Sequence, residues 1–295
     1  MKFTHMKRNI LSSFLLAFLM ILAGCSNHVI KKGSSASAYP EEQFGWKLGA
    51  QAYTFNRFTF FDAIDKIDSC NLKYVEGFPG QNLGGGLEGK LDYNMDAALR
   101  DKILAKLKDK GVKIVAYGVV SPKGERDWRQ LFEFGKAMGI ETFTSEPAEE
   151  DLELVSSLCD EYKINVAIHN HPNPSHYWNP DIVLAAIEGK SNRLGSCADI
   201  GHWIRSGLDP IECLKKLDGH ILHSHMKDLN EKSKKAHDVI WGTGISNIDG
   251  IIRELKRQKF KGMISVEYEY NWDNSAPEVA ESVKYFRVAV KEKII

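Results

Sequence analysis

The fold is decided by the stretch NVAIHNHP (residues 165–172), together with the segments 181–188 and 194–198 that follow it. The apolar run at 165–168 predicts a short buried strand, and the longer run at 181–188 predicts a helix. A second strand is predicted at 194–198. Strand, helix and strand in this order are typical of a parallel βαβ unit, because parallel neighbours need a long crossover connection.

The same alternation extends outward over most of the chain. Strands are predicted at 47–55, 73–78, 112–120, 141–145, 165–168, 194–198, 220–225 and 263–268. Helices are predicted at 60–70, 95–110, 128–138, 149–162, 181–188, 210–217, 247–258 and 276–291. Eight βα units in this order predict an α/β fold, a single (β/α)8 TIM barrel. The alternative is a doubly wound open sheet, but no GxGxxG turn follows the first predicted strand.

Composition excludes several classes of protein. Of 295 residues, 43% are hydrophobic and 26% are charged, which argues against a disordered or fibrous chain. Lys+Arg and Asp+Glu both number 39, so no basic excess suggests nucleic acid as a partner. Five cysteines are too few for a disulfide scaffold. We expect the four beyond the N-terminal region to be buried free thiols, namely Cys70, Cys159, Cys197 and Cys213.

The first 24 residues have the pattern of a signal peptide. A basic start precedes an apolar run at 10–23, which is too short to span a bilayer. The run ends in LAGC (residues 22–25), which resembles the bacterial lipobox and implies cleavage before Cys25 and lipid attachment to it. The alternative is an ordinary signal peptide with a chance cysteine.

Three segments follow from this reading: a lipoprotein signal peptide at 1–24, a flexible tether at 25–43 and the barrel at 44–295. The tether is predicted from its Ser-, Lys- and Ala-rich composition. We therefore expect an extracytoplasmic protein, in the periplasm or on the cell surface of a bacterium. Its only contact with the membrane would be the lipid anchor.

Acidic and imidazole side chains collect at the predicted strand ends, where TIM barrels carry their chemistry. In chain order they are Glu76, Glu146, His169, His171, Asp199, His202, His223, His225, Glu267 and Glu269. Imidazole and carboxylate ligands suit Mn, Fe, Co, Ni or Zn better than a calcium cage. The sequence therefore predicts a site for one divalent metal ion.

Residues i and i+2 of a strand share a face, which pairs some of these side chains. His169 and His171 form one such pair. One member of each pair would be a metal ligand, and the other would support the ligands or bind the substrate. His223 is expected one layer down, in the barrel interior. Lys227 follows the seventh strand, where it could stabilise a developing oxyanion or form a salt bridge with Asp228.

Four motifs at these positions resemble the xylose-isomerase-like superfamily, which includes sugar-phosphate isomerases and epimerases. They are Asp199-x-x-His202, HMKD (225–228), WGTG (241–244) and VEYE (266–269). The resemblance covers roughly residues 45–285. It implies a TIM barrel with one divalent metal held by Glu, Asp, His and Glu from strands five to eight. Asp199, His225 and Glu267 carry over as ligands, and His202 as a substrate contact.

The fifth strand departs from the family pattern, because His169 stands where the family usually has Glu. Histidine is a competent ligand for the same metals, so a metal site is still expected. The family Glu often also acts as an acid or base, so a mechanism with two carboxylates is in doubt. Glu146 could replace it as the general base or as the fourth ligand.

Lipoprotein members of this group resemble 3-keto-glucoside lyase and hydratase enzymes. The chain is therefore predicted to be a metal-dependent enzyme that enolises a non-phosphorylated keto-sugar, by 1,2-elimination from a 3-keto-glycoside or hydration. The partner would be a small-molecule keto-sugar or glycoside. One alternative is a sugar isomerase or epimerase of the ketose 3-epimerase type. An alternative of another class is a sugar-binding lipoprotein without catalysis.

Each candidate residue has a predicted role. The metal ligands are His169, Asp199, His225 and Glu267. The candidates for proton transfer are Glu146, His171 and Glu269. The candidates for substrate contact are Glu76, Trp178, His202, Lys227 and His237. Trp178 could instead anchor its loop, and His237 belongs to a long loop that could form a lid.

Overall fold

A computed structural model describes residues 38–294 of the chain. The predicted signal peptide, Cys25 and most of the predicted tether lie outside the described residues. Within 38–294, every helix is too short or too polar to cross a membrane.

A closed barrel of eight parallel strands forms the centre of the domain. We number them in chain order: β1 Lys47–Gln51, β2 Tyr74–Gly77, β3 Lys113–Val120, β4 Thr142–Ser145, β5 Asn165–His169, β6 Leu194–Asp199, β7 Ile221–Met226 and β8 Met263–Val266. Each strand pairs with its neighbours in sequence. The pairing of β1 with β8, with Ala50 opposite Val266, closes the barrel. The predicted (β/α)8 fold is therefore confirmed.

Nine α-helices belong to the described part of the chain. They are α1 Phe60–Ser69, α2 Ala97–Asp109, α3 Gly124–Met138, α4 Leu152–Tyr162, α5 Pro180–Ile187, α6 Ile200–Arg205, α7 Pro210–Lys216, α8 Ile248–Arg257 and α9 Ala276–Ile294. Helix α6 was not predicted from the sequence. It forms because Asp199 ends β6 and caps the next turn, where its Oδ1 accepts a hydrogen bond from the His202 backbone N–H at 2.8 Å.

Two short antiparallel strand pairs lie outside the barrel and were also not predicted. One joins Asn82–Gly84 to Leu87–Lys90, and the other joins Asp228–Leu229 to Asp238–Val239. The second pair stiffens the long segment after β7. It therefore fixes Asp238 close to the end of the barrel that carries the predicted site.

Two strands end two or more residues earlier than predicted. The first strand stops at Gln51, because Ala52–Phe55 turns into a 3-10 helix whose first turn is capped by the Gln51 side chain. The last strand stops at Val266 rather than at Tyr268. Tyr53 therefore leaves the barrel wall, and 39% of its surface is exposed.

The hydrophobic core lies between the barrel and its helices. Trp128 and Phe132 of α3 are fully buried, and Phe132 meets Phe143 of β4 edge to face at 5.4 Å. The four cysteines of the domain are buried free thiols, as predicted.

The folded domain begins before the predicted boundary at residue 44. Pro40–Phe44 forms a 3-10 helix, and Glu41 within it is 1% exposed. The Glu41 carboxylate accepts a hydrogen bond from Arg287 of α9 at 2.9 Å. Residues 38–43, which the sequence assigned to the tether, are thus part of the fold, because a buried ion pair holds them to α9.

Candidate functional site

The four predicted metal ligands converge at the C-terminal end of the barrel. His169 ends β5, Asp199 ends β6, His225 lies in β7, and Glu267 follows β8. One potential ligand atom from each lies within 4.8 Å of the corresponding atoms of the other three, and all four residues are buried. The register of the parallel strands explains why these side chains lie together, since Asp199 and His225 are direct partners on neighbouring strands.

Each histidine of this cluster is oriented by a carboxylate outside it. His169 Nδ1 lies 3.3 Å from Glu146 Oε1, and His225 Nε2 lies 2.9 Å from Glu76 Oε2. The opposite ring nitrogens are buried and face the other two residues of the cluster: His169 Nε2 lies 3.5 Å from Asp199 Oδ2, and His225 Nδ1 lies 2.9 Å from Glu267 Oε2. Metal-binding histidines typically have this arrangement. The donors present therefore fit a divalent transition metal.

Glu76 lies below the cluster and not in the wall of the pocket. Its carboxylate is fully buried and accepts hydrogen bonds from Thr144 Oγ1 at 2.6 Å and from Ser265 Oγ at 2.7 Å. His223 Nε2 is 2.8 Å away, so His223 lies in the barrel interior, as predicted. Burial alone would raise the pKa of Glu76, but His225 and His223 hold it well below its usual value. Glu76 is thus placed to orient histidines rather than to contact a sugar.

Glu146 contacts a second histidine, His171, besides His169. Its Oε1 is in close contact with Nδ1 of His171, and its Oε2 accepts a hydrogen bond from Ser175 Oγ at 3.1 Å. Burial alone would raise the pKa of Glu146, but the hydrogen bonds from both histidines lower it well below its usual value. Glu146 forms a second group with His169 and His171, which shares His169 with the four-residue cluster. Since His171 Nδ1 is engaged, its Nε2 is the ring nitrogen available to the pocket.

Lys227 lies among the cluster carboxylates and forms no salt bridge with Asp228. Its Nζ is 2.5 Å from Asp199 Oδ2 and in close contact with Glu267 Oε2. Asp228 instead accepts backbone hydrogen bonds from the WGTG segment and from Ser246, at 2.8 to 3.0 Å. Consecutive residues of an extended chain face opposite ways, which separates Lys227 from Asp228.

Arg205 links two predicted site residues, His202 and Glu269. It was not predicted from the sequence. It lies on α6, three residues after His202, so the signal was hidden in a helix that was not predicted. Its Nη1 donates to His202 Nδ1 and to Glu269 Oε2, both at 3.2 Å. His202 Nε2 therefore carries the ring proton in the neutral form. Burial lowers the pKa of His202 well below its usual value, despite the charge of Asp199.

A cavity of about 360 Å³ opens beside the cluster. Its lining consists of Gln51, Tyr53, Phe78, Pro79, Gly118, Val119, His169, His171, His202, Glu267 and Glu269. One side is therefore polar and the other is aromatic, with Tyr53 edge to face on Phe78 at 5.2 Å. Neither Tyr53 nor Phe78 was assigned a role in the predicted site, although both follow the C-terminal ends of barrel strands.

Two predicted substrate contacts do not belong to this lining. Trp178 is half-buried in the loop after β5. His237 stacks on Tyr270, with ring centroids 4.3 Å apart. Of the other predicted substrate contacts, only His202 lines the cavity. Glu76 and Lys227 lie deeper, where they contact residues of the four-residue cluster.

Comparison with known proteins identifies the family. A family model described as "Xylose isomerase-like TIM barrel" matches residues 64–289. The chain belongs to this family. Among curated proteins, it is similar to an inosose dehydratase of Clostridium perfringens (strain 13 / Type A), with 24% identity over 162 residues. That match covers 49% of this chain and 53% of the relative, so the chain spans about half the length of the curated relatives it matches.

Two solved structures illustrate the range of similarity. An uncharacterized protein of Parabacteroides distasonis ATCC 8503 is 35% identical, with a TM-score of 0.69, over 83% of this chain and 99% of that one. A xylose isomerase-like TIM barrel protein of Mycobacterium smegmatis, solved in complex with magnesium, has a TM-score of 0.67. It is 15% identical and covers 85% of this chain and 98% of that one, which shows the shared fold.

Proposed function

We propose that this protein is a metal-dependent enzyme that enolises a non-phosphorylated keto-sugar. The reaction is 1,2-elimination from a 3-keto-glycoside, or the addition of water to the product of such an elimination. The observation that carries the proposal is the pairing of Glu146 with His171 at the pocket, directly beside the buried cluster of His169, Asp199, His225 and Glu267.

A divalent metal held by the four cluster residues would act as a Lewis acid toward the C3 ketone and make the C2 proton more acidic. His171 Nε2 takes that proton, because Glu146 holds the opposite ring nitrogen and orients the imidazole. The C2 electron pair then forms the C1–C2 double bond as the bond from C1 to the leaving oxygen breaks. The His171 imidazolium returns its proton to the leaving oxygen. The products are an alcohol and a 3-keto-2-hydroxyglucal, so atoms and charge balance.

The remaining pocket residues suit a sugar ring. His202 lines the cavity with an Nε2–H donor that lies 3.5 Å from Asp199 Oδ2, because Arg205 occupies its other nitrogen. Glu269 can accept hydrogen bonds from hydroxyl groups, since Arg205 holds one of its oxygens at 3.2 Å. The aromatic side formed by Tyr53 and Phe78 can cover the apolar face of a pyranose.

Two further observations support an elimination outside the cytoplasm. The curated relatives named inosose dehydratase favour dehydratase-type chemistry over a simple epimerisation. The LAGC sequence at 22–25 supports export and a lipid on Cys25, and phosphorylated sugars are normally cytoplasmic. The intact mass of membrane-extracted protein tests the anchor, since an unmodified full-length chain would contradict it.

Proton NMR in D2O tests the activity, using zinc-loaded protein and a 3-keto-glucoside. We expect release of the aglycone together with a new vinyl-type sugar signal. His171→Gln should abolish the reaction, whereas His176→Gln should retain it. His176 is the matched control, because its half-exposed ring pairs with Glu149 outside the cavity lining.

The same spectra separate the alternatives. Loss of the signal alpha to the ketone, with the glycosidic bond intact, would favour an isomerase or epimerase, because that reaction shares the first step. No change in any substrate signal, despite bound zinc, would contradict the proposed elimination. No change together with no bound metal would favour a sugar-binding lipoprotein.

A further inference from the structure

Lys227 occupies the oxygen atoms that a metal would need. Its ammonium is 2.5 Å from Asp199 Oδ2 and in close contact with Glu267 Oε2, and both atoms belong to the four-residue cluster. The side chain is buried, so water cannot solvate the charge. A buried ammonium is stabilised only by partners of opposite charge. Lys227 and a divalent cation would therefore compete for the same two carboxylates.

The aliphatic part of the Lys227 side chain packs against Gly201 of α6. A Cβ atom at Gly201 would lie 2.8 Å from Lys227 Cδ and 3.0 Å from Lys227 Cβ. Any residue other than glycine at position 201 would therefore collide with the stem. The glycine of α6 leaves room for Lys227 directly beneath Asp199.

A second group of carboxylates lies within reach of the same ammonium. Glu269 Oε2 is 3.6 Å from Lys227 Nζ. Asp238 is 1% exposed, and its Oδ1 has no hydrogen-bond partner among the described residues. Its Oδ2 accepts from the Glu269 backbone N–H at 2.8 Å, which holds the two acids together. The flexible lysine stem allows its ammonium to move between such neighbouring sites.

The local charge favours such an exchange. Asp199, Glu267, Glu269 and Asp238 bring four carboxyl groups to this end of the barrel, against the two cations Lys227 and Arg205. Arg205 remains 3.8 Å from Asp238 and cannot serve the cluster as well. A divalent cation at Asp199 and Glu267 would replace Lys227 as the counter-charge of these two carboxylates. It would also leave Lys227 free for Glu269 and Asp238.

We propose that Lys227 is an internal competitor for the metal. In the metal-free protein it neutralises Asp199 and Glu267, and when a divalent cation binds it moves to Glu269 and Asp238. This inference rests on the metal site of the proposed function, but it does not depend on the substrate. Its consequence is a cluster that stays folded without metal and binds metal more weakly than its four ligands alone would.

Zinc titration calorimetry on metal-stripped protein tests the proposal, together with thermal unfolding of the same samples. Lys227→Met should bind zinc about tenfold more tightly than the unaltered protein. Its metal-free form should unfold at a lower temperature, because two buried carboxylates lose their counter-charge. Asp238→Asn should bind zinc more weakly by about fivefold, because the second position is impaired. Lys215→Met is the matched control, since Lys215 pairs only with Glu212 on the surface, and neither quantity should change.

Equal or weaker zinc binding by Lys227→Met would overturn the proposal. If that variant does not fold, Asp238→Asn decides, and unchanged zinc affinity there would overturn it. Failure of the unaltered protein to bind zinc would reject the metal site and this inference together. Zinc binding by the unaltered protein without a difference in the variants would reject the inference alone and leave the proposed function standing.

Discussion

Glu76 Oε2 lies 2.9 Å from His225 Nε2, in the barrel interior beneath the proposed metal ligands. The carboxylate is also held by Ser265 and Thr144, so it cannot move away from the imidazole without losing several hydrogen bonds. This fixes the His225 ring with Nδ1 toward Asp199 and Glu267, at 3.8 and 2.9 Å from their oxygens. Glu76 would thus contribute to metal affinity without touching the metal.

Glu76→Gln should weaken zinc binding about 10- to 100-fold, the usual cost of altering a carboxylate behind a ligating histidine. The amide keeps the shape of the side chain but provides no negative charge to the imidazole. Titration calorimetry measures the affinity. Glu141→Gln is the control, because Glu141 pairs with Lys47 at an exposed position. Equal affinity of both variants for zinc would show that Glu76 is only a packing residue.

His225→Ala should abolish stoichiometric zinc binding, because it removes the only proposed ligand from β7. Metal content after dialysis, measured by elemental analysis, gives the result. His220→Ala is the matched control, since His220 precedes β7 at the opposite end of the same strand and is exposed. One equivalent of zinc retained by His225→Ala would contradict the ligand assignment.

The barrel was predictable because its signals are local. Each strand and helix has its own apolar period and end signals, and eight repeats of one unit leave few other topologies. The meeting of His169, Asp199, His225 and Glu267 follows from the same topology, because parallel strands bring their C-terminal ends to one edge. Sequence thus predicted which residues lie together without any information on their distances.

The positions of Lys227 and Arg205 were not predictable in the same way. Lys227 was expected either at an oxyanion or beside Asp228, but its partners are Asp199 and Glu267, which are remote in sequence. Arg205 depends on α6, a six-residue helix with too few turns for a periodic signal. Its start could have been found from Asp199, whose carboxylate caps the helix. Long-range charge pairing carries no local pattern, so only the folded chain reveals it.

Asp238 should make the stability of the metal-free protein fall as the pH rises. Burial raises its pKa to about 7, although Lys227 and Arg205 counteract this and Glu269 adds to it. The folded state therefore holds more protons than the unfolded state between the ordinary aspartate pKa and about pH 7. The contribution of Asp238 to stability is highest below this range, decreases across it and stays low above it.

Asp238→Asn removes this titration and should flatten the profile. Above pH 7 the variant should exceed the unaltered protein by about 2 to 4 kcal/mol in free energy of unfolding. The difference should shrink toward pH 4. Urea unfolding of metal-stripped protein at several pH values provides the measurement. A difference that does not depend on pH would show that Asp238 keeps an ordinary pKa.

The buried pair of Glu41 and Arg287 should contribute strongly to stability, because each group is the main counter-charge of the other. Arg287 also donates to the Asn71 backbone carbonyl at 3.0 Å, so it joins the first described turn to the end of α1 and to α9. Glu41→Gln leaves the buried guanidinium without its carboxylate, which should lower the free energy of unfolding by about 3 kcal/mol. Glu281→Gln breaks the exposed pair with Lys284 on α9 and should change it by less than about 0.5 kcal/mol.

Urea unfolding of the two variants distinguishes a folded N-terminal turn from a tether. A tether would make no buried contact, so both substitutions would then have equally small effects. A loss confined to Glu41→Gln would place the start of the domain at or before residue 41, since the energy depends on that residue being held against α9. The predicted tether would then end before residue 41, earlier than its predicted end at residue 43.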